Sequence, residues 1–364
     1  MLHLHSRVTA PDMPGELLSP ETPQRTLQQE LVKIYKAEGL SAVMDALCRW
    51  ELSAGYISKE KLESSECLRF YDTEYELDFY VQVNRARSGY TPSVPPAEEL
   101  PPVHCAICRE NVGRPGKERL RVFEFALHGG ADKGADFFLQ LTPYPVFPYH
   151  FVVISLEPEP MRVDRQSFRE MVRFSELAPA YTVCSNSDVR GAGSSILEHH
   201  HLQAFKGLTL PVMTAGTVKR FRNRDCGVDI LRYPLAAVRV EGAGISAVTD
   251  TAASMLERWK ELDPGKNTAN VIFSRECSRP CFYLLFRNPA FQTPEQLQRI
   301  KNEGIGIIEA AGVGIFPVPS GPDEDDIWEE IRSRGKEVML GILSGINPLG
   351  RDRREILEEL IPWT

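Results

Sequence analysis

The sequence predicts an α+β protein built in two parts, each a mixed sheet with helices packed on it. Three observations carry this. Apolar residues recur at helical spacing near the start, short aromatic and β-branched runs take over from Arg119, and the order strand, helix, strand occurs twice.

In chain order, Met1 to Pro20 reads as a loosely packed arm with several prolines and no apolar core of signal-peptide length. Residues 24–88 read as helical, with Leu27, Leu31, Ile34, Tyr35 and Leu40, then Val43, Met44, Leu47 and Trp50 after Gly39. Arg87 to Val103, rich in proline, is a linker or extended segment. Leu120 to Leu127, Phe137 to Leu141 and Phe151 to Leu156 are strand-like. Arg165 to Leu177 is a helix whose apolar side is Phe168, Met171, Val172 and Phe174, and Tyr181 to Cys184 is a short strand. The second part begins near Gly207. Its strands are Ile230 to Tyr233, Ala236 to Val240, Val271 to Phe273 and Phe282 to Phe286, with a helix over Thr249 to Leu262. Thr293 to Glu303 reads as a helix opened by Thr-Pro-Glu, Ile305 to Pro317 as strand-like, and Glu324 to Gly335 and Arg353 to Leu360 as helices. The expected division is 1–100, an arm and helical region; 101–215; and 216–364.

Composition narrows the function classes. The chain has 364 residues, 42% hydrophobic and 25% charged, with a net charge of −8. That balance argues against a general nucleic-acid binder, although a local basic site for phosphate remains compatible. No apolar run approaches the ~20 residues of a membrane span. Eight cysteines without a secretion signal point to reduced thiols or metal ligands, and to the cytoplasm.

The most informative stretch is Ser195-Ile-Leu-Glu-His-His-His-Leu-Gln203, just after the turn Gly191, Gly193, Ser194, Ser195. In an extended segment His199, His201 and Gln203 share one face, with His200 and Leu202 on the other. A histidine can attack phosphorus and carry the group covalently. A neighbouring amide can hold the phosphate without activating water, which favours transfer over hydrolysis. The competing readings are a metal-binding run and a solvated loop. No Gly-rich loop with a following lysine is present, so phosphate recognition falls to the backbone and side chains of Gly191 to Ser195. Cys105-Ala-Ile-Cys108 is a thiolate pair at zinc spacing, or simply two reduced cysteines in a turn. Cys277-x3-Cys281 reads as packing. Asp323 to Asp326 reads as a helix N-terminus.

From Asn186 to Gln203 the chain resembles the nucleotidyl-transferring branch of the histidine-triad superfamily, specifically the galactose-1-phosphate uridylyltransferases. The matching pieces are Asn186-x-Asp188, the Gly/Ser turn, Ser195-Ile-Leu and His199-x-His201-x-Gln203. Cys105, Cys108, Glu110, Asn111 and Gly113 match a further family pattern. So do Tyr233-Pro-Leu, Lys266-Asn-Thr, Arg287-Asn288 and Ile305 to Glu309, which carry the likeness to about Pro317. The resemblance implies two histidine-triad-like halves. It also implies a ping-pong enzyme exchanging a nucleoside monophosphate between a nucleotide-sugar and a sugar 1-phosphate, in a homodimer.

By that resemblance His201 is the nucleophile, Gln203 and Ser195 hold the phosphate with Ser194, and Asn186 and Asp188 lie near the nucleotide. His150, after Tyr144 and Phe147, is either near the nucleotide or partly buried with one backbone partner. Lys266, Asn267 and Arg287 are expected toward the phosphates, and Glu309 toward a sugar hydroxyl. A structural zinc would join Cys105, Cys108 and His199 to one more ligand. The family's histidine is replaced by Pro158, leaving Glu157, Glu159, His104, His128 and His150 as alternatives. The same motif also suits a phosphorylase that uses inorganic phosphate, or a nucleotide-binding protein without catalysis.

Overall fold

A computed structural model describes residues 19–63, 66–84, 105–129, 134–142, 145–276, 279–301, 304–317, 324–350 and 354–363. The Met1 to Pro20 arm up to residue 18, the proline-rich segment 87–103, His104, Tyr144, Cys277 and Asp323 lie outside the described residues.

The α+β class holds. Helices α1 (Gln24–Glu38), α2 (Leu40–Ser53) and α3 (Lys59–Glu63) open the chain. The helical expectation for 24–88 fails beyond them. Strands β1 (Glu66–Asp72) and β2 (Leu77–Asn84) form an antiparallel hairpin there. Its aromatic and β-branched residues, Phe70, Phe79, Tyr80 and Val81, suit a pleated surface better than a helix.

Strands β3 (Phe123–Phe125), β4 (Phe137–Leu141) and β5 (His150–Ser155) are followed by α4 (Arg165–Leu177), β6 (Tyr181–Ser185) and β7 (His201–Lys206). Strands β8 (Thr217–Arg222), β9 (Cys226–Leu231) and β10 (Ala237–Gly242) are followed by α5 (Ile245–Leu262), β11 (Thr268–Glu276) and β12 (Arg279–Arg287). Their spatial order is β3-β4-β5-β7-β6-β11-β12-β10-β9-β8, one ten-stranded sheet. Each half thus supplies five strands, and antiparallel pairing of β6 with β11 joins them, for example Cys184 opposite Ile272. A mixed or antiparallel sheet with packed helices was expected in each half; the two halves' strands run on into one sheet. The second sheet is small, β1-β2 with β13 (Val313–Pro317), which runs parallel to β2.

Near the C-terminus the expected Thr293 to Glu303 helix is only a short 3-10 turn, Glu295–Leu297. Ile305 to Pro317 is not one strand: α6 (Ile307–Ala310) precedes β13, with Gly312 at φ 104 as the hinge. Helices α7 (Glu324–Gly345) and α8 (Arg354–Glu359) end the chain, α7 being kinked at Arg334.

The large sheet has two unlike faces. One packs on α1, α2, α4 and α5 through residues such as Phe168, Phe174, Met255, Phe273 and Phe282. The other is covered over its second half by the small sheet, α6 and α7, through Phe79, Tyr283, Ile315 and Trp328. A third, smaller cluster of Ile107, Val122, Phe138, Val152 and Ile154 lies apart from it. Strand β7 divides between the faces. Leu202 and Ala204 enter the helix-side core, and Phe205 the opposite one. His201 and Gln203, of the same parity as Phe205, therefore share its face.

Candidate active site

His201 opens β7, and its surroundings fix its tautomer. Its Nδ1 lies 2.8 Å from the carbonyl oxygen of His199. A carbonyl only accepts, so Nδ1 carries the proton and Nε2 keeps the lone pair. Burial lowers the pKa of His201 to about 4. The ring is thus neutral near pH 7, with Nε2 free of any hydrogen bond among the described residues.

Gln203, two residues on, accepts at Oε1 from His150 Nε2 at 3.1 Å. His150, on neighbouring strand β5, is buried, and its ring lies 4.3 Å from that of Phe205. Both Cys184 and Val152 flank Gln203 in the ladder. The structure therefore brings His150, His201 and Gln203 together.

His199 precedes the strand, so the alternation argument does not reach it. Its Nε2 lies 2.8 Å from the Ser155 carbonyl, which places the proton there. Nδ1 then presents a lone pair to Cys105 Sγ at 3.2 Å and Cys108 Sγ at 3.5 Å. The two sulfurs are 2.8 Å apart, and the Cys105 thiol is pushed up to about 12 by burial and by its bond with Cys108. Two thiols and one imidazole lone pair aimed at a common point form a donor set suited to a tetrahedral, thiophilic cation. Among the described residues the group comprises these three. His128 is taken by Asp136 and Glu170, and Glu159 by Arg162.

His200 points the other way and is fully buried. Its Nε2 meets Glu170 Oε2 at 2.8 Å, and Glu170 Oε1 takes Arg162 and His128. Glu170 is also buried; burial raises its pKa, but the His200 and Arg162 contacts win and hold it low. The main chain is tied too, His200 N donating to Glu159 O at 2.6 Å and Ser155 N to His200 O at 3.2 Å. The residue between the two site histidines is thereby anchored by its backbone and by its ring.

The turn before the motif is clamped by the second half. Asn186 Oδ1 accepts from Ile307 N at 2.9 Å. Gly193, at φ 99, lies so close to Ile305 that a Cβ on it would sit 1.9 Å from the Ile305 oxygen. Ser194 Oγ bonds the Ile196 carbonyl, and Ser195 is exposed. Glu309 stays inside the second half, bonded to Lys301 Nζ at 3.0 Å and Gly306 N at 3.1 Å. Arg287 is buried beneath the same segment, donating to Asn270 Oδ1 and Ile305 O. Burial lowers its pKa to about 10, which leaves it charged.

Other sequence-singled residues lie elsewhere. Asp188 accepts from Thr268 Oγ1, Val163 N and Lys260 Nζ, a fully engaged carboxylate that ties β6 to β11 and α5. Asn267 is buried between Trp259 O and Asn288 Nδ2. Lys266 is exposed beside Asp263. Asp188 and Asn267 line an open cleft with Arg190, Lys260 and Pro289, and His201 is not part of its wall. Of the residues expected to meet phosphates, Asn267 and Arg287 are thus engaged with protein partners, and Lys266 lies beside Asp263.

Sequence reading missed Glu170, Arg162 and Gln82. A signal for the first existed: alternation puts His200 in the core, and a buried polar ring needs a partner.

Comparisons with known proteins give the chain's relatives. A family described only as a domain of unknown function, DUF4922, matches residues 57–206. Galactose-1-phosphate uridylyltransferase of Staphylococcus carnosus is 29% identical over 205 residues, covering 49% of this chain and 41% of that protein. The enzyme of the same name from Bifidobacterium longum is 30% identical over 264 residues, covering 64% and 49%. The chain spans about half the length of these curated relatives. In fold, yeast Ap4A phosphorylase in complex with AMP superposes with a TM-score of 0.52 at 15% identity, over 90% of this chain and 98% of that one. Sequence and fold together show a chain that resembles the galactose-1-phosphate uridylyltransferase-like branch of the histidine-triad superfamily.

Proposed function

We propose that the chain is a nucleotidyltransferase that exchanges a nucleoside monophosphate between a nucleotide-sugar and a sugar 1-phosphate through a covalent histidine. The observation that carries this is the tautomer of His201, a neutral imidazole with its Nε2 lone pair on the same sheet face as Gln203. Nε2 attacks the α-phosphorus of the donor, an N–P bond forms, and the P–O bond to the sugar 1-phosphate breaks, its electron pair leaving on that oxygen. The ring becomes cationic while its Nδ1–H stays on the His199 carbonyl, which stabilises that charge. The Gln203 amide holds the phosphoryl oxygens without presenting a base to water, and the Gly191 to Ser195 turn supplies backbone N–H groups. A second sugar 1-phosphate then reverses the step. One phosphoanhydride replaces another, so no outside energy is needed.

Asn186, Ser194 and Ser195 are assigned to the nucleotide and phosphate side, and residues 101–215 and 216–364 to the two units. Asp188 and Asn267 act by shaping the turn and the neighbouring cleft. Lys266, Arg287 and Glu309 lie on the second-half side of that turn. The enzyme works in the cytoplasm as a homodimer.

Cys105, Cys108 and His199 hold a structural zinc, which ties the segment before β7 to the cysteine turn. Cys105→Ser is expected to lower bound zinc, read by elemental analysis, and to lower Tm by several degrees. Unchanged zinc content in the variant overturns the site.

The test of the function is intact-protein mass after incubation with UDP-glucose, GDP-mannose or ADP-glucose, followed by peptide mapping. A nucleoside-monophosphate adduct on His201 with one donor supports transfer and names the base. Discharge of that adduct by inorganic phosphate but not by sugar 1-phosphates would replace transfer with phosphorolysis. No adduct with any donor sinks the covalent reading.

A further inference from the structure

Orientation of the Gln203 amide decides whether it offers the phosphate an N–H or an oxygen, and carbonyl and amine ends have the same shape. A chain of hydrogen bonds settles it. Val146 N donates to His150 Nδ1 at 3.3 Å. A main-chain nitrogen only donates, so Nδ1 is the unprotonated nitrogen and the His150 proton lies on Nε2. Nε2–H then donates to Gln203 at 3.1 Å, which must present its oxygen there. The amide nitrogen, with two N–H bonds, is turned away from His150 and has no partner among the described residues.

The surroundings over-determine this arrangement. Tyr149, at φ 58, holds the strained left-handed conformation that brings the chain round from Val146 to His150. Phe205, opposite His150 in the β5–β7 ladder, lies at 4.3 Å from its ring and 30° from its plane, fixing the imidazole. Phe147 meets Phe205 edge-on at 5.8 Å. From the small sheet, buried Gln82 donates through Nε2 to the Val146 carbonyl at 2.9 Å, holding the peptide whose neighbouring N–H sets the tautomer.

We propose that His150 is a positioning residue: with Val146 and Gln82 it locks the Gln203 amide with its nitrogen toward the transferring phosphate. The residue does not touch substrate; it acts through Gln203. This rests on the reaction proposed above. Gln82 extends the lock to the hairpin β1–β2, so an element distant in sequence helps set the polarity of the phosphate site.

Two measurements test it. In the folded wild-type protein, ring 15N shifts of His150 are expected to show Nδ1 bare and Nε2 protonated; the opposite tautomer overturns the lock without any variant. In kinetics with UDP-glucose, or whichever of the three nucleotide-sugars forms the adduct, His150→Phe should lower the nucleotidylation rate roughly 10- to 100-fold with KM changed less than about 2-fold. His150→Gln, which keeps an N–H donor, should recover most of that loss. In a Gln203→Met background, His150→Phe should add nothing further. Equal impairment by Phe and Gln, or additive losses in the double variant, overturns the proposal. Wild-type protein that forms no adduct with any donor sinks the reaction instead, while the tautomer measurement still reads on the lock.

Discussion

Replacing His201 with asparagine is expected to abolish the covalent adduct and lower turnover at least about 10⁴-fold, the scale at which loss of a nucleophile is felt. Among the described residues no second group is placed to take over. Gln203 is an amide, His199 faces the cysteines, and His150 is held by Val146 and Gln203. The fold should survive, because an asparagine amide is short enough to fit and can itself donate to the His199 carbonyl. Rapid-quench detection of the adduct, with circular dichroism as the control for folding, separates the two effects. A folded His201→Asn protein that still transfers at near wild-type rate would falsify the nucleophile assignment.

Gly193→Ala is expected to be the most damaging substitution that removes no functional atom. Gly193 has φ 99, which an alanine adopts only with strain, and the new Cβ would lie 1.9 Å from the Ile305 oxygen. Either the turn or the 304–306 backbone must move. Both are pinned, the latter by Arg287 to Ile305 O and by Asn186 to Ile307 N. A loss of about 2–4 kcal/mol in stability is the expected scale. The adduct rate should fall with it, since the same turn is the one proposed to face the phosphate. Urea denaturation and adduct kinetics on one preparation check both. Wild-type stability in the variant would mean that the clamp between the halves is not closed in solution.

Much of the site was legible because it is local. Cys105 and Cys108, the Gly/Ser turn and the run from His199 to Gln203 declare their chemistry within a few residues. Helix Arg165–Leu177 was read with its full bounds, its apolar stripe being unambiguous and Asp164 capping its start. What failed was decided at a distance. The hairpin of β1 and β2 was taken for helix although its own residues suit a strand, and the third strand of its sheet, β13, lies more than two hundred residues on. The partners of Asp188 and Glu309, both inward, could not be read from positions that alternation left open to either face. The isolated signals Lys266 and Arg287 each sat in a recognisable motif. One is exposed beside an aspartate and the other buried beneath a loop, and motif membership says nothing of that difference.

The seam between β6 and β11 marks an internal symmetry. Strand order β3-β4-β5-β7-β6 meets β8-β9-β10-β12-β11 head to head, the arrangement of two copies related by a two-fold axis through the Cys184–Ile272 pair. Counting outward by one strand from that pair reaches Gln203 on one side and Tyr283 on the other. The protein is thus laid out within one polypeptide with the strand order of a two-fold dimer. One half places an amide at this position, and the other a tyrosine in the core under the small sheet. If the seam has the character of a subunit contact, residues 1–215 and 216–364 produced as separate chains in one cell should co-purify; fragments that elute apart would show that it does not.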